Sequence, residues 1–300
     1  MPRRKSSGRK IGVIGSINRD TIHRVDGSSV TSWGGILYNL KYLSESGAAT
    51  IIPAVNVGYD GHARVMAILG RLSNLDLSQV RKVDEENNHC FIHYANQTHK
   101  CEFLKGGVPP LTFRRVAPLL DSDLILINFI SGRDITLPAL ELLRRRYTGT
   151  IYIDIHSLTL GRKKVPGGFR RHLRRPRFWR RYAECADILQ VNQAEFEVLS
   201  GMAFSSDNAQ RFLAEDLPSV RCLCLTLGRR GSLVLERSRE IRAHLVPAKE
   251  VLRPCDTTGC GDIFAAGFIA QYLTTGDVLA AAVHGNRLAA ARCRIRGPIF

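Results

Sequence analysis

Asp262 closes the stretch Asp256-Thr257-Thr258-Gly259-Cys260-Gly261-Asp262, which runs straight into the apolar Ile263-Phe264-Ala265-Ala266-Gly267-Phe268-Ile269-Ala270. Two glycines allow a tight turn, and the apolar run reads as a buried helix, so backbone amides converge at its first turn. Unpaired N–H groups and the positive end of the helix dipole favour a phosphate there, and the glycines let it approach the main chain. A carboxylate beside that phosphate is repulsive unless it acts, and accepting the proton of an attacking hydroxyl is the action that fits. Capping the helix is the plainer role for Asp262. On this stretch alone both readings stand.

Other polar residues stand at the ends of apolar runs. Asn18 and Asp20 follow the strand-like Lys10-Ile11-Gly12-Val13-Ile14-Gly15-Ser16, where a sheet gathers its ligands and where an Asx turn is equally ordinary. Gly34 and Gly35 precede a helix that carries Asn39 in its first turn, a place where a small ligand could approach the backbone. Asn192 and Glu195 share one face of a helical turn, which suits phosphate and water-bound Mg²⁺; the same pair is a capping box. Thr226, Gly228 and Gly231 mark a strand, a glycine turn and a second strand.

These residues need a scaffold. Leu124–Phe129, Thr150–Ile155, Ile188–Val191 and Cys222–Leu227 are apolar runs alternating with helical segments, which predicts an α/β fold with a largely parallel sheet covered on both faces. Cys90–Tyr94 and Lys100–Leu104, split by polar residues, predict an antiparallel hairpin. Cys222 and Cys224 alternate with leucines and should face one side of their strand. The eight cysteines lack the C-x-x-C spacing of zinc or redox chemistry, and Cys222 and Cys224 read as core filler.

The chain has 300 residues, 44% of them hydrophobic, enough for one large domain. No apolar run approaches the roughly 18 residues of a membrane span, and residues 1–10 form a basic tail without a secretory apolar segment, so a cytoplasmic location is expected. The net charge of +16 favours anionic partners. Much of it sits in Arg162-Lys163-Lys164 and at Arg170 to Arg181. The latter run reads as a solvated helix or loop with Phe178 and Trp179 buried, or as a surface for a phosphorylated acceptor or nucleic acid.

Asp256 to Asp262 resembles the D-T-x-G-A-G-D signature of the ribokinase-like carbohydrate kinases, the phosphofructokinase-B family, with Cys260 in place of alanine. Gly15 to Asp20 is similar to that family's opening G-x-x-x-x-D, Gly34 to Asn39 to its first substrate motif, Asn192 to Glu195 to its N-x-x-E, and Thr226 to Gly231 to its T-x-G-x-x-G. Ile36, Leu37 and Tyr38 depart from the ribokinase pattern, and the turn at Asp60 and the loop at His156 match less well; Asp60 is read as structural, and His156 is given no catalytic role.

The resemblance implies a three-layer ribokinase-like sandwich, a single domain over 11–300, with a small β-sheet lid from about 16–33 and 89–107. It implies an ATP-dependent kinase acting on a hydroxyl of a sugar or nucleoside. Asp262 would be the base and Gly259, Cys260 and Gly261 the anion hole. Asn18, Asp20, Gly34, Gly35, Asn39 and Asp256 would serve the acceptor, with Asp256 also near a K⁺ site in some relatives. Asn192, Thr226, Gly228, Gly231 and Asn286 would serve ATP, and Glu195 would hold Mg²⁺ through water. A homodimer through the lid is a further implication. A nucleoside acceptor predicts aromatic stacking from the lid, Trp33 or Tyr38; a phosphosugar predicts an inward-facing arginine or lysine. The alternative from another class is a nucleotide- or sugar-sensing regulator with a basic nucleic-acid surface.

Overall fold

The computed structural model describes residues 8–94, 100–248, 257–295, 297 and 299–300. Its main sheet follows from the apolar runs. Numbered along the chain, it contains β1 (Lys10–Ile14), β4 (Thr50–Gly58), β5 (Val80–Val83), β8 (Leu124–Asn128), β9 (Thr150–Asp154), β12 (Ile188–Asn192), β13 (Cys222–Thr226), β14 (Ser232–Arg237) and β15 (Ile241–Val246). Their order is β15-β14-β13-β12-β9-β8-β1-β4-β5. From β5 to β13 all neighbours are parallel, and β14 and β15 add an antiparallel edge.

Side-chain alternation divides the core between the two faces of this sheet. Ile125 and Ile127 point to one face, and Leu124 and Leu126 to the other. The first face is covered by α3 (Phe113–Val116), α4 (Leu137–Arg146), α5 (Trp179–Ala183), α6 (Gln193–Ser200) and α7 (Ser206–Asp216). The second lies under α1 (Leu37–Ser46), α2 (His62–Leu69), α8 (Cys260–Thr275) and α9 (Val278–Arg292). Cys222 and Cys224 share that second face, their sulfurs 3.8 Å apart. Asp60 accepts the amide of Asn87 and fixes the turn before α2.

A second sheet stands over the carboxyl ends of the parallel strands. It runs β10-β11-β7-β6-β2-β3, from β2 (Arg19–His23), β3 (Ser29–Trp33), β6 (His89–Tyr94), β7 (Lys100–Lys105), β10 (Leu160–Val165) and β11 (Gly168–Leu173). Four of these strands were expected. The hairpin of β10 and β11 extends the sheet beyond the expected segments, and the first part of the basic run, Arg170 to Leu173, is strand rather than helix or loop. The cause is pairing: Phe169 and Arg170 bond across to Leu104 and Phe103. Trp179 is buried at 3% exposure, as expected, but Phe178 is 47% exposed. The guanidinium groups of Arg177 and Arg181 lie over the Phe178 ring, which accounts for an aromatic side chain tolerated at the surface. Among the described residues no helix is long and apolar enough to cross a membrane.

Candidate active site

β1, β8, β9, β12 and β13 end on one edge of the sheet, and α8 begins above it. Between this edge and the second sheet lies a cleft of about 420 Å³. Thr257 to Asp262 form its floor, with Asn18, Asp20, Gly35 and Tyr38 on one side and Asp154, Asn192, Glu195 and Thr226 on the other.

At the floor, Gly259 is the N-cap of α8 with φ of 77°, and no side chain caps the helix. A Cβ at 259 would lie 2.6 Å from the Tyr38 ring, so both backbone conformation and space require glycine here. No side chain therefore competes with an anion for this turn, although the Cys260 amide donates to the Thr257 carbonyl at 3.2 Å. Asp262 is in that turn but does not cap it. Its carboxylate accepts from Asn128 Nδ2 at 2.7 Å, and its carbonyl accepts from Asn39 Nδ2 at 2.8 Å. Asn128 also donates to Asn39 Oδ1 at 3.0 Å, which joins the ends of β1's neighbour β8, helix α1 and α8. Burial raises the pKa of Asp262, while the electrostatic influence of the nearby His156 imidazole and the Asn128 hydrogen bond pull it back. A buried carboxylate so poised can take a proton from a hydroxyl held in the cleft. The Cys260 thiol turns towards α9, with its sulfur 3.6 Å from the Ala289 carbonyl oxygen and 3.1 Å from Cys293 Sγ.

On the side of α1, a Cβ at Gly34 would meet Asp20 Oδ2 at 2.2 Å, and one at Gly35 would meet the Ser16 carbonyl at 2.3 Å. The glycine pair thus admits Asp20 and the segment just after β1 to close packing, and Gly35 also lines the cleft. Asn39 is fully buried beneath the cleft with its amide engaged as above, so the structure places it as a support of the Asp262 turn. Tyr38 has its pKa raised by burial and then by Asp20.

On the opposite side, Asn192 and Glu195 form the capping box of α6: Asn192 Oδ1 accepts the Glu195 amide, and Glu195 Oε2 accepts the Asn192 amide. Both also line the cleft. Glu195 Oε1 accepts from Asn192 Nδ2 at 2.6 Å. With both oxygens so engaged, contact with a metal through water leaves the box intact. The hard oxygen donors of Glu195 and neighbouring Asp154 suit Mg²⁺. Among the described residues no cluster of three or more His, Cys, Asp or Glu has the geometry of a metal site. Gly228 and Gly231 shape the turn between β13 and β14. Asn286 lies deeper, donating to Ser232 Oγ and the Val246 carbonyl, and so ties α9 to the sheet edge. Asp256 lies outside the described residues.

Three residues of the site were not anticipated from sequence: Asn128, Asp154 and Gln190. Gln190 donates to Asp154 Oδ2 at 2.8 Å and to the Gly261 carbonyl at 3.2 Å, and accepts from Tyr152. Asp154 has its pKa raised well above the usual carboxylate range by burial, then by Glu195 and Asp262. The signal available was positional. Asn128 and Asp154 are the polar last residues of two apolar strands and sit side by side in register.

Comparison with known proteins agrees with this architecture. Residues 173–300 match the family model described as pfkB family carbohydrate kinase. The chain is 34% identical over 102 residues to a deoxyribokinase of Salmonella typhi, a match covering 33% of this chain and 32% of that protein, so it spans about a third of that relative's length. Across nearly the whole fold it is similar to a pyrophosphate-dependent kinase in the ribokinase family, with TM-score 0.78, 16% identity and 97% of each chain covered. It is also similar to the Arabidopsis thaliana ribokinase complexed with ribose and ATP, with TM-score 0.75, 17% identity and 97% and 94% of the two chains covered.

Proposed function

We propose that this chain is a ribokinase-like carbohydrate kinase of the pfkB family and that it transfers the γ-phosphate of ATP to a hydroxyl of a sugar or nucleoside. The observation that carries this reading is Asp262: a buried carboxylate, 7% exposed, held by Asn128 in the uncapped first turn of α8 and facing a cleft closed above by a second sheet.

Asp262 accepts the proton of the acceptor hydroxyl as its oxygen attacks the donor phosphate. Amides of Gly259 and Gly261, with the helix dipole behind them and the Cys260 amide, which also donates to the Thr257 carbonyl, beside them, stabilise the charge that develops on the transferred group. Asn18, Asp20 and Gly35 hold the acceptor; Asn192 and Thr226 meet the donor; the glycine turn at 228 to 231 and Asn286 shape the end that receives its nucleotide. Mg²⁺, held through water by Glu195, would offset the charge of the donor phosphates. The second sheet excludes water, which would otherwise take the phosphate in place of the acceptor. K⁺ near Asp256 and a dimer through the second sheet complete the proposal. The regulator alternative is not favoured, since the similar proteins are kinases.

The test is phosphoryl transfer by the purified protein with Mg²⁺, with and without K⁺, across sugars, phosphosugars and nucleosides, with ATP and pyrophosphate as rival donors. Asp262→Asn should lower kcat by roughly 10² to 10⁴ while leaving ATP affinity nearly intact, the usual contribution of a general base. Full turnover in that variant would remove Asp262 from the role, and turnover with pyrophosphate alone would remove ATP.

A further inference from the structure

The hairpin of β10 and β11 brings an arginine over the acceptor side of the cleft. Arg171 lies on β11, lines the cleft beside Asn18, Asp20, Cys90, Ile92 and Glu102, and is 6% exposed. Its Nη2 donates to the Ser157 carbonyl at 3.1 Å, while its Nε has no hydrogen-bond partner among the described residues. A buried cationic donor left unsatisfied is unfavourable unless a ligand completes it.

Its surroundings increase the mismatch. The cross-strand partner of Arg171 is Arg162, and like charges directly opposite in a sheet repel. Arg162 stacks its guanidinium over Phe169 at 4.0 Å, and its own Nε also lacks a partner among the described residues. Its pKa is lowered by burial, then by the charges of Arg133 and Arg171, so three guanidinium groups act on one region. Two carboxylates offset them. Glu102 lines the same cleft, and buried Asp134 is engaged by Ser16 Oγ and by the amides of Ser131 and Gly132. Both favour the charged form of Arg171, against a larger opposing effect of burial. Aromatic stacking has less to offer a nucleobase: Tyr38 is buried against Gly259, which leaves Tyr94 as the other phenol ring on the cleft wall.

We propose that the acceptor is an anionic sugar, whose phosphate or carboxylate group is received by Arg171 with Arg162 adding charge behind it, while its hydroxyl faces Asp262. This rests on the kinase reading above and narrows it to a substrate class. Arg171 acts here as a residue of specificity, since its planar fork matches the oxygens of either anion.

The experiment compares paired acceptors: fructose with fructose 6-phosphate, ribose with ribose 5-phosphate, and glucose with gluconate, plus inosine. The expected result is a kcat/KM for the anionic member at least about 10²-fold above its neutral parent, and a collapse of that ratio by roughly 10- to 100-fold in Arg171→Gln, carried by KM. Arg171→Lys should retain part of the ratio, and the phosphorylated and carboxylate pairs tell which anion is received. A merely structural arginine would lower both members alike and leave the ratio. Should Arg171→Gln fail to fold, Arg162→Gln decides, with a smaller fall of the ratio expected. Neutral sugars or inosine used as well as the anionic acceptors, or a ratio unmoved by both variants, would overturn the inference and leave the kinase standing. If no acceptor is turned over, the kinase reading falls, and calorimetric binding of fructose 6-phosphate and gluconate then decides the rest. Binding weakened in Arg171→Gln upholds the anion site, and no binding of either overturns it.

Discussion

At the level of single residues, the acid–base behaviour of Asp262 gives the sharpest expectation. The residue works as a base only when ionised, and burial raises its pKa above the ordinary 3.8. The rate at limiting acceptor should therefore fall as pH drops through a value above that of a free carboxylic acid. Removing the Asn128 hydrogen bond, which favours the ionised form, should move this acidic limb further up in Asn128→Ala; a pH profile of kcat/KM in both proteins checks the direction. Thiol chemistry offers a simpler control. Burial pushes the Cys185 thiol up to about 12, so it should resist labelling at pH 8, whereas exposed Cys101 should react. Mass spectrometry after a short pulse of iodoacetamide reads both. Asp262 was legible in sequence because its neighbours are distinctive in type and spacing. Asn128 was not, since a single polar residue closing an apolar strand carries no local mark of the carboxylate it meets 134 positions later.

At the level of elements, the start of α8 is a backbone position that requires glycine. Gly259→Ala places a Cβ both in the left-handed region and against the Tyr38 ring. Backbone strain of this kind costs about 1–3 kcal/mol, so Tm should drop by roughly 2–10 °C, with kcat reduced through the displaced amides. Calorimetry and turnover on one sample separate the two effects, and unchanged values of both would contradict the geometry. The parallel strands were readable because burial on both faces makes them continuous apolar runs, as in Leu124-Ile125-Leu126-Ile127. β10 and β11 were not readable: Arg162, Lys163, Lys164, Arg170 and Arg171 mask a strand whose pairing partner, β7, lies some 65 residues earlier, about the separation of Arg170 from Phe103. The capping box at Asn192 and Glu195 shows the converse case, in which the plain structural reading and the proximity to the cleft are both present.

At the level of the whole molecule, the two buried clusters lie on either face of the main sheet, and the second sheet contributes little to them. Elements with few buried apolar contacts open locally at lower free energy than the core. Amides of β6, β7 and β11 should thus exchange with solvent sooner than those of β8 and β9, and acceptor together with donor should slow the former selectively. Hydrogen exchange followed by mass spectrometry checks this; equal protection of both sheets would count against a mobile cover. The parallel architecture was legible from the alternation of strands and helices, but the extent of the cover was not, since it is assembled from three separate segments of the chain.

The location of Arg171, Glu102 and Ile92 on that second sheet, away from the strands that hold Asp262, separates what the protein selects from what keeps it folded. Such a division makes the cover a natural site for divergence. Changes of preference could accumulate there by ordinary point mutation, while the catalytic turn and its asparagine supports pass unaltered from ancestor to descendant.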